Sequence, residues 1–168
     1  MNNSEPRSQD LVLFDRYAVT VATVMGTLVA GAVLMWLNYR LMGRADLANR
    51  TLQIGVAVQL LLVILTAMWI PADSVVQLVP LILQTGLAWF AAGQLQGAAL
   101  QWHLDRGASL QSVWRAAGIG FMVGMVIAFV LVMGLAVLAA LGFIELPTPP
   151  PIDVPAESPP EPSIPATT

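Results

Sequence analysis

Hydrophobic positions in this chain come in long blocks, and the polar positions are gathered between them. Four stretches carry no charged residue: 17–39, 51–72, 74–102 and 116–144. The shortest has 22 residues. A helix of about that length rises roughly 33 Å, more than the ~30 Å hydrocarbon core of a bilayer. The pattern predicts an all-α integral membrane protein, a four-transmembrane-helix bundle with spans over those four stretches. An N-terminal segment, 1–16, precedes the membrane domain, 17–146, and a tail follows, 147–168. The first block is longer than the apolar core of a secretory signal, and it ends in Trp36, Asn38, Tyr39 and Arg40 rather than a small-residue cleavage site, so it reads as a retained span.

Composition agrees with this reading. Of 168 residues, 57% are hydrophobic and 10% charged, and the mean hydropathy is +0.76, outside the soluble globular range. With no cysteine, disulfides, thiolate metal sites and cysteine nucleophiles are excluded. The tail holds nine of the twelve prolines together with Asp153, Glu157 and Glu161. Proline removes amide donors and fixes φ, so this segment is expected to be an extended, disordered, acidic spacer.

Lys and Arg concentrate in cytoplasmic flanks of membrane proteins. The first and third loops carry Arg40, Arg44, Arg50, Arg106 and Arg115, five in all, against Arg7 and Arg16 in the N-terminal segment. The count places both loops in the cytoplasm and both termini outside it. Trp36, Tyr39, Trp102 and Trp114 then sit at the inner interface and Tyr17 and Trp69 at the outer, while Trp89 falls within a span as a packing residue.

The two loops look alike. At an offset of 63, Leu37, Asn38, Tyr39 and Arg40 meet Leu100, Gln101, Trp102 and His103; Asp46 meets Ser109, both good helix N-caps; and after two extra residues Arg50 meets Arg115. Either one two-helix unit is used twice, or any membrane hairpin needs an interfacial aromatic, a cap and an arginine. Asn38, Tyr39, Leu41, Gly43, Ala48, Thr51, Gly55, Gln96, Gly97, His103, Gly107, Ser112, Trp114, Arg115 and Gly118 resemble an uncharacterised group of small bacterial inner-membrane proteins with four predicted transmembrane helices. The likeness covers roughly residues 20 to 125. It implies a bacterial inner-membrane protein and brings no activity or catalytic residue. That group often has a proline after the glycine at the position of Gly26, where this chain has Thr27, so the resemblance leaves a proline kink in the first helix unsupported.

Small residues mark candidate packing faces: Gly26 with Ala18, Ala22 and Ala30 in the first block, Gly93 and Gly97 in the third, Gly120 and Gly124 in the fourth. Backbones approach closely at such positions in lipid. The third block is the polar one. Gln84, Gln94 and Gln101 are candidates either for lining a polar path or for amide contacts to neighbours such as Gln53 and Gln59. Pro80 either begins the third helix or kinks its first turns.

No Asp, Glu, Lys, Arg or His falls inside an expected span, although proton relays and ion-coupled transporters usually carry one. No phosphate loop, zinc-protease motif or nucleophile elbow is present. His103 and Asp105 offer two metal ligands at most, in a chain with one histidine, so no metal, no cofactor, no nucleic-acid partner and no enzymatic activity are expected. The expected surroundings are the lipid bilayer and either a membrane-protein partner or further copies of the chain. The expected function is that of a structural or accessory membrane component acting through helix packing and its cytoplasmic hairpins; the alternative is a small uncoupled channel or transporter with a glutamine-lined third helix.

Overall fold

The computed structural model describes residues 11–69 and 78–143. The tail, 147–168, and most of the N-terminal segment lie outside the described residues. The order is β1 (Val12–Leu13), α1 (Arg16–Gly26), α2 (Leu28–Leu41), α3 (Ala45–Trp69), α4 (Leu78–Leu104), β2 (Ser109–Leu110) and α5 (Val113–Ala140). By contact the chain divides into Met1–Val132 and Met133–Thr168. The second unit holds, among the described residues, the last turns of α5 and a turn in which the Phe143 N–H donates to the Leu138 carbonyl at 3.0 Å. All the other elements belong to the first unit.

Among the described residues three helices, α3, α4 and α5, are long and apolar enough to cross a membrane. The single helix expected over 17–39 is two helices of 11 and 14 residues, parted at Thr27. Thr27 has φ 114° and ψ 172°, a region that only glycine enters without strain. The chain reverses there. Phe14, before α1, is hydrogen-bonded to Asn38 near the end of α2, and a Cβ on Gly31 of α2 would lie 3.4 Å from Val19 Cγ1 of α1. In one straight helix Val19 and Gly31 would be about 18 Å apart, and Phe14 and Asn38 about 36 Å. At roughly 16 and 21 Å, each arm reaches only part of the way through a hydrocarbon core. An apolar, uncharged block of 23 residues therefore makes a helical hairpin and not a span.

The hairpin changes which segments share an end. Its two ends meet, so Phe14 lies beside the α2–α3 turn. The N-terminal strand also pairs in parallel with β2 in the α4–α5 connection, Val12 opposite Ser109 and Leu13 opposite Leu110. Leu11, Leu13 and Ala108 are buried there against Met42, Leu100 and Leu104. Residues 11–15 thus stand at the same end of the bundle as both loops, where a full first span would have put them at the other.

Local sequence accounts for the helix ends. Asp15 caps α1, its Oδ1 accepting from the Ala18 N–H at 2.8 Å. Asp46 lies in the first turn of α3, favourably placed toward the helix dipole, rather than at its cap. Ser109 is in β2, not at the cap of α5. Pro80 occupies the first turn of α4, where a missing amide hydrogen costs nothing. The α2–α3 and α4–α5 turns pass through Gly43 at φ 75° and Gly107 at φ 94°, a conformation that disfavours a side chain. The two hairpins share that glycine and the aromatic before it. They differ in their first helix, 14 residues in α2 against 27 in α4.

Candidate functional site

The polar groups that matter are those holding the α1–α2 hairpin at its two ends. At the closed base, Asn38 is fully buried. Its Oδ1 accepts from the Phe14 N–H at 2.9 Å, and its Nδ2 donates to the Phe14 carbonyl at 2.7 Å and to Gln96 Oε1 of α4 at 3.0 Å. Gln96, also buried, donates from Nε2 to the Met35 carbonyl at 2.7 Å. Tyr39 donates from its hydroxyl to the Leu95 carbonyl at 2.8 Å. Every polar atom of the Asn38 and Gln96 amides on this path has a partner, which low-dielectric surroundings demand. The main-chain groups of Phe14, lying before the α1 cap, would otherwise be stranded; Asn38 supplies a side chain in place of a neighbouring strand.

At the tip, the first amide of α2 is the group in need. The Leu28 N–H is shared between Gln59 Oε1 of α3, at 3.1 Å, and Gln84 Oε1 of α4, at 3.3 Å. Two helices thus cap a third from the side, since Thr27 makes no side-chain cap bond of its own. The Thr27 Oγ1 is buried without a hydrogen-bond partner. It lies at a cavity of about 280 Å³ that Gln84, Gly124 and Phe121 also line. Along α4 the inward stripe runs Gln84, Ala88, Ala92, Gln96 at four-residue spacing: small residues let α1 and α2 approach, and a glutamine stands at each end.

Small residues fit α1 against α5. A Cβ on Gly26 would fall on the Gly120 carbonyl oxygen; one on Gly120 would stand 2.6 Å from the Ala22 oxygen; one on Gly124 would stand 2.9 Å from Gly26 Cα. These three glycines are a packing face, as their spacing suggests. Gly93 and Gly97 are not part of any such contact, with nothing within 4 Å of an added Cβ at either.

The three candidate glutamines of α4 have different surroundings. Gln84 is committed to Leu28, while Gln94 and Gln101 are exposed on α4. Gln96 and Asn38 make the buried contacts, and the half-buried Gln59 joins Gln84 at Leu28. Their signal in the sequence was an amide inside an apolar block, but nothing local names partners 24 or 58 residues away.

The basic residues gather at the end where Phe14 and Asn38 meet. Arg16 begins α1, Arg40 is in the last turn of α2, Arg44 is in the turn, Arg50 is near the start of α3, Arg106 is in the α4–α5 connection and Arg115 is in the first turn of α5. Three lie over indole rings: Arg16 on Trp89 at 4.4 Å, Arg40 on Trp36 at 5.4 Å and Arg106 on Trp102 at 3.5 Å. Trp89 also meets Tyr17 edge to face, with centroids 5.0 Å apart. His103 stands against Trp102 with its Nδ1 buried and unpartnered. No group of three or more metal-ligating side chains occurs among the described residues.

Comparison with known protein families, with characterised proteins and with solved structures finds no match to this chain.

Proposed function

We propose that this protein is a structural or accessory component of a bacterial inner membrane. In this reading a helical hairpin dips into the bilayer and returns, and α3, α4 and α5 cross it. The observation that carries the reading is where the polar groups go. The amides of Asn38, Gln96, Gln59 and Gln84 are engaged in holding the hairpin, which is the work of a scaffold. Outside the contacts with α1, α5 offers an apolar surface that the chain itself leaves uncovered, with large exposed side chains such as Met122, Val126 and Phe129. Lipid and a membrane partner are the natural cover for it. Gentle purification from native membranes followed by native mass spectrometry tests this: a stoichiometric protein partner supports it, and a bare monomer in several mild detergents counts against it.

The same reading orients the chain. All seven basic residues fall before β1, at the hairpin's ends or in the two loops that share its end, and residues 70–77 and 141–168 contain no Lys or Arg. Seven against none is a stronger bias than five against two. It puts the N-terminus with the loops in the cytoplasm and, after three crossings, the acidic tail outside. Because the chain has no cysteine, single cysteines at Ser4, Asp46 and Thr167 report this directly. An impermeant maleimide on intact cells should label only the last; labelling at Ser4 would sink the orientation.

A second reading, a small uncoupled channel or transporter, draws on one observation. The hairpin tip places a buried unpartnered hydroxyl, Thr27 Oγ1, beside a cavity that Gln84 also lines. Solute flux in liposomes, abolished by Thr27→Val together with Gln84→Leu, would favour it; no flux through the parent would end it.

A further inference from the structure

The reversal at Thr27 strips the end of α1 of its usual partners. In a continuous helix the Leu28 N–H would donate to the Val24 carbonyl and the Ala30 N–H to the Gly26 carbonyl. Here the Leu28 N–H is held by Gln59 and Gln84, and the Ala30 N–H donates to the Thr27 carbonyl at 3.0 Å. The Val24, Met25 and Gly26 carbonyls end α1 without a hydrogen-bond donor among the described residues. On a soluble surface water would satisfy them. These stand at the hairpin tip, about 16 Å of helix from the start of α1, near the middle of a ~30 Å hydrocarbon core. At that depth, backbone freed from a helix is tolerated only where protein buries it or it lines a hydrated cavity.

Such a cavity is present. Val24, Met25, Gly26 and Thr27 line a space of about 280 Å³ together with Gln84 and Gly124, several times the ~30 Å³ share of one water. A Cβ on Gly124 would stand 3.2 Å from the Met25 oxygen and 3.3 Å from the Gly26 oxygen, so α5 meets these carbonyls with a residue that crowds neither.

The polar groups at this place are mostly oxygens. Beside the carbonyls is the Thr27 hydroxyl, buried and without a hydrogen-bond partner. Gln84 Oε1 accepts the Leu28 N–H at 3.3 Å and keeps a second lone pair. The C-terminus of α1 adds about half a negative charge, while the positive end of α2 is met by the two glutamine oxygens at Leu28. No carboxylate lines the space, so a divalent ion would lack its usual charged ligands. A monovalent ion is held by neutral oxygens, as at the C-terminal ends of broken transporter helices.

We infer that the hairpin tip binds one alkali cation, on the Met25 and Gly26 carbonyls and the Thr27 hydroxyl. The inference needs the hairpin to be membrane-embedded. It is independent of whether a solute crosses and of whether the chain has a protein partner.

The test is thermal unfolding of the full chain in mild detergent, in sodium, potassium and choline chloride at equal ionic strength. At least one alkali salt should raise the melting temperature over choline by about 3 °C, and the rise should saturate, as for a ligand of the folded state. Thr27→Val keeps the shape and the β-branch and removes only the oxygen, so most of the rise should vanish; Thr27→Ser should retain it. Equilibrium binding of radioactive sodium and of radioactive rubidium, a potassium surrogate, checks the parent without any variant. One of the two should bind at one ion per chain, and at least tenfold more weakly to Thr27→Val. Equal melting of the parent in the three salts overturns the inference, as does a full rise in Thr27→Val or failure of the parent to bind either isotope. Each of these results would leave water as what satisfies the end of α1.

Discussion

The side chain of Asn38 binds the main chain of Phe14 at both of its polar groups, accepting from the amide at 2.9 Å and donating to the carbonyl at 2.7 Å. This pairing closes the α1–α2 hairpin across 24 residues, and both residues are buried within the chain, where no water can substitute. Replacing Asn38 with Leu removes three hydrogen bonds and leaves buried groups of Phe14 and Gln96 unsatisfied. A buried unsatisfied group costs about 1–3 kcal/mol. Asn38→Leu should therefore lower the melting temperature in detergent more than any other single amide replacement here. Gln96→Leu should cost less, and the double variant should fall short of the sum, because the Asn38–Gln96 bond is lost only once. Strict additivity in that cycle would show the two amides to be uncoupled.

The tip of the hairpin predicts the opposite kind of coupling. Gln59 and Gln84 share one donor, the Leu28 N–H, at 3.1 and 3.3 Å. Either oxygen alone can satisfy it. Gln59→Leu and Gln84→Leu should each be mild, below about 1 kcal/mol, in keeping with the ~0.6 kcal/mol typical of interhelical bonds in membranes. The double variant should cost more than their sum, since only then is the first amide of α2 stranded. Two large single effects with no excess in the double would refute shared capping.

Identical motifs have different consequences on two helices. Gly120 meets the Ala22 backbone at a distance no Cβ can share, whereas Gly93 has open space. Gly120→Ala should force α1 and α5 apart and cost about 1–3 kcal/mol, the usual penalty of overpacking. Gly93→Ala should be neutral or slightly stabilising, as Ala is the better helix former by about 1 kcal/mol. Chemical denaturation in mixed micelles separates the two; equal losses would mean that the α4 glycines also face a helix.

The helices α3, α4 and α5 were legible in the sequence because crossing a bilayer takes about twenty uncharged residues, and length alone reveals that. The turns at Gly43 and Gly107 and the Gly26–Gly120–Gly124 face were legible through residue type. The hairpin was not, because hydropathy measures how apolar a block is and not whether the chain reverses within it. Its reversal falls on a threonine, which carries no turn signal, where a glycine or proline would have given one. The end at which residues 11–15 stand was hidden with it: one crossing moves a segment to the far end, and a hairpin returns it. Gly93–Gly97 and Gly120–Gly124 read alike, since a GxxxG pattern states that a backbone is accessible and not what comes to it. Asn38 and Gln96 were visible only as amides in apolar blocks, their pairing being set by tertiary structure.

Thr27 offers the sharpest single test of the hairpin. Its φ of 114° lies where a β-branched residue is strained by about 1–3 kcal/mol, and its hydroxyl has no hydrogen-bond partner to offset that. Glycine adopts this conformation freely, so Thr27→Gly should raise the melting temperature even though it deletes a half-buried side chain and enlarges the cavity beside Gln84. Thr27→Pro should do the reverse, because proline holds φ near −65° and Thr27 also donates its N–H to the Thr23 carbonyl at 2.8 Å. If residues 17–39 formed one continuous helix instead, glycine at 27 would weaken it by about 1 kcal/mol, and the sign of the Thr27→Gly effect would be negative. The melting curve of that one variant thus distinguishes a hairpin from a span.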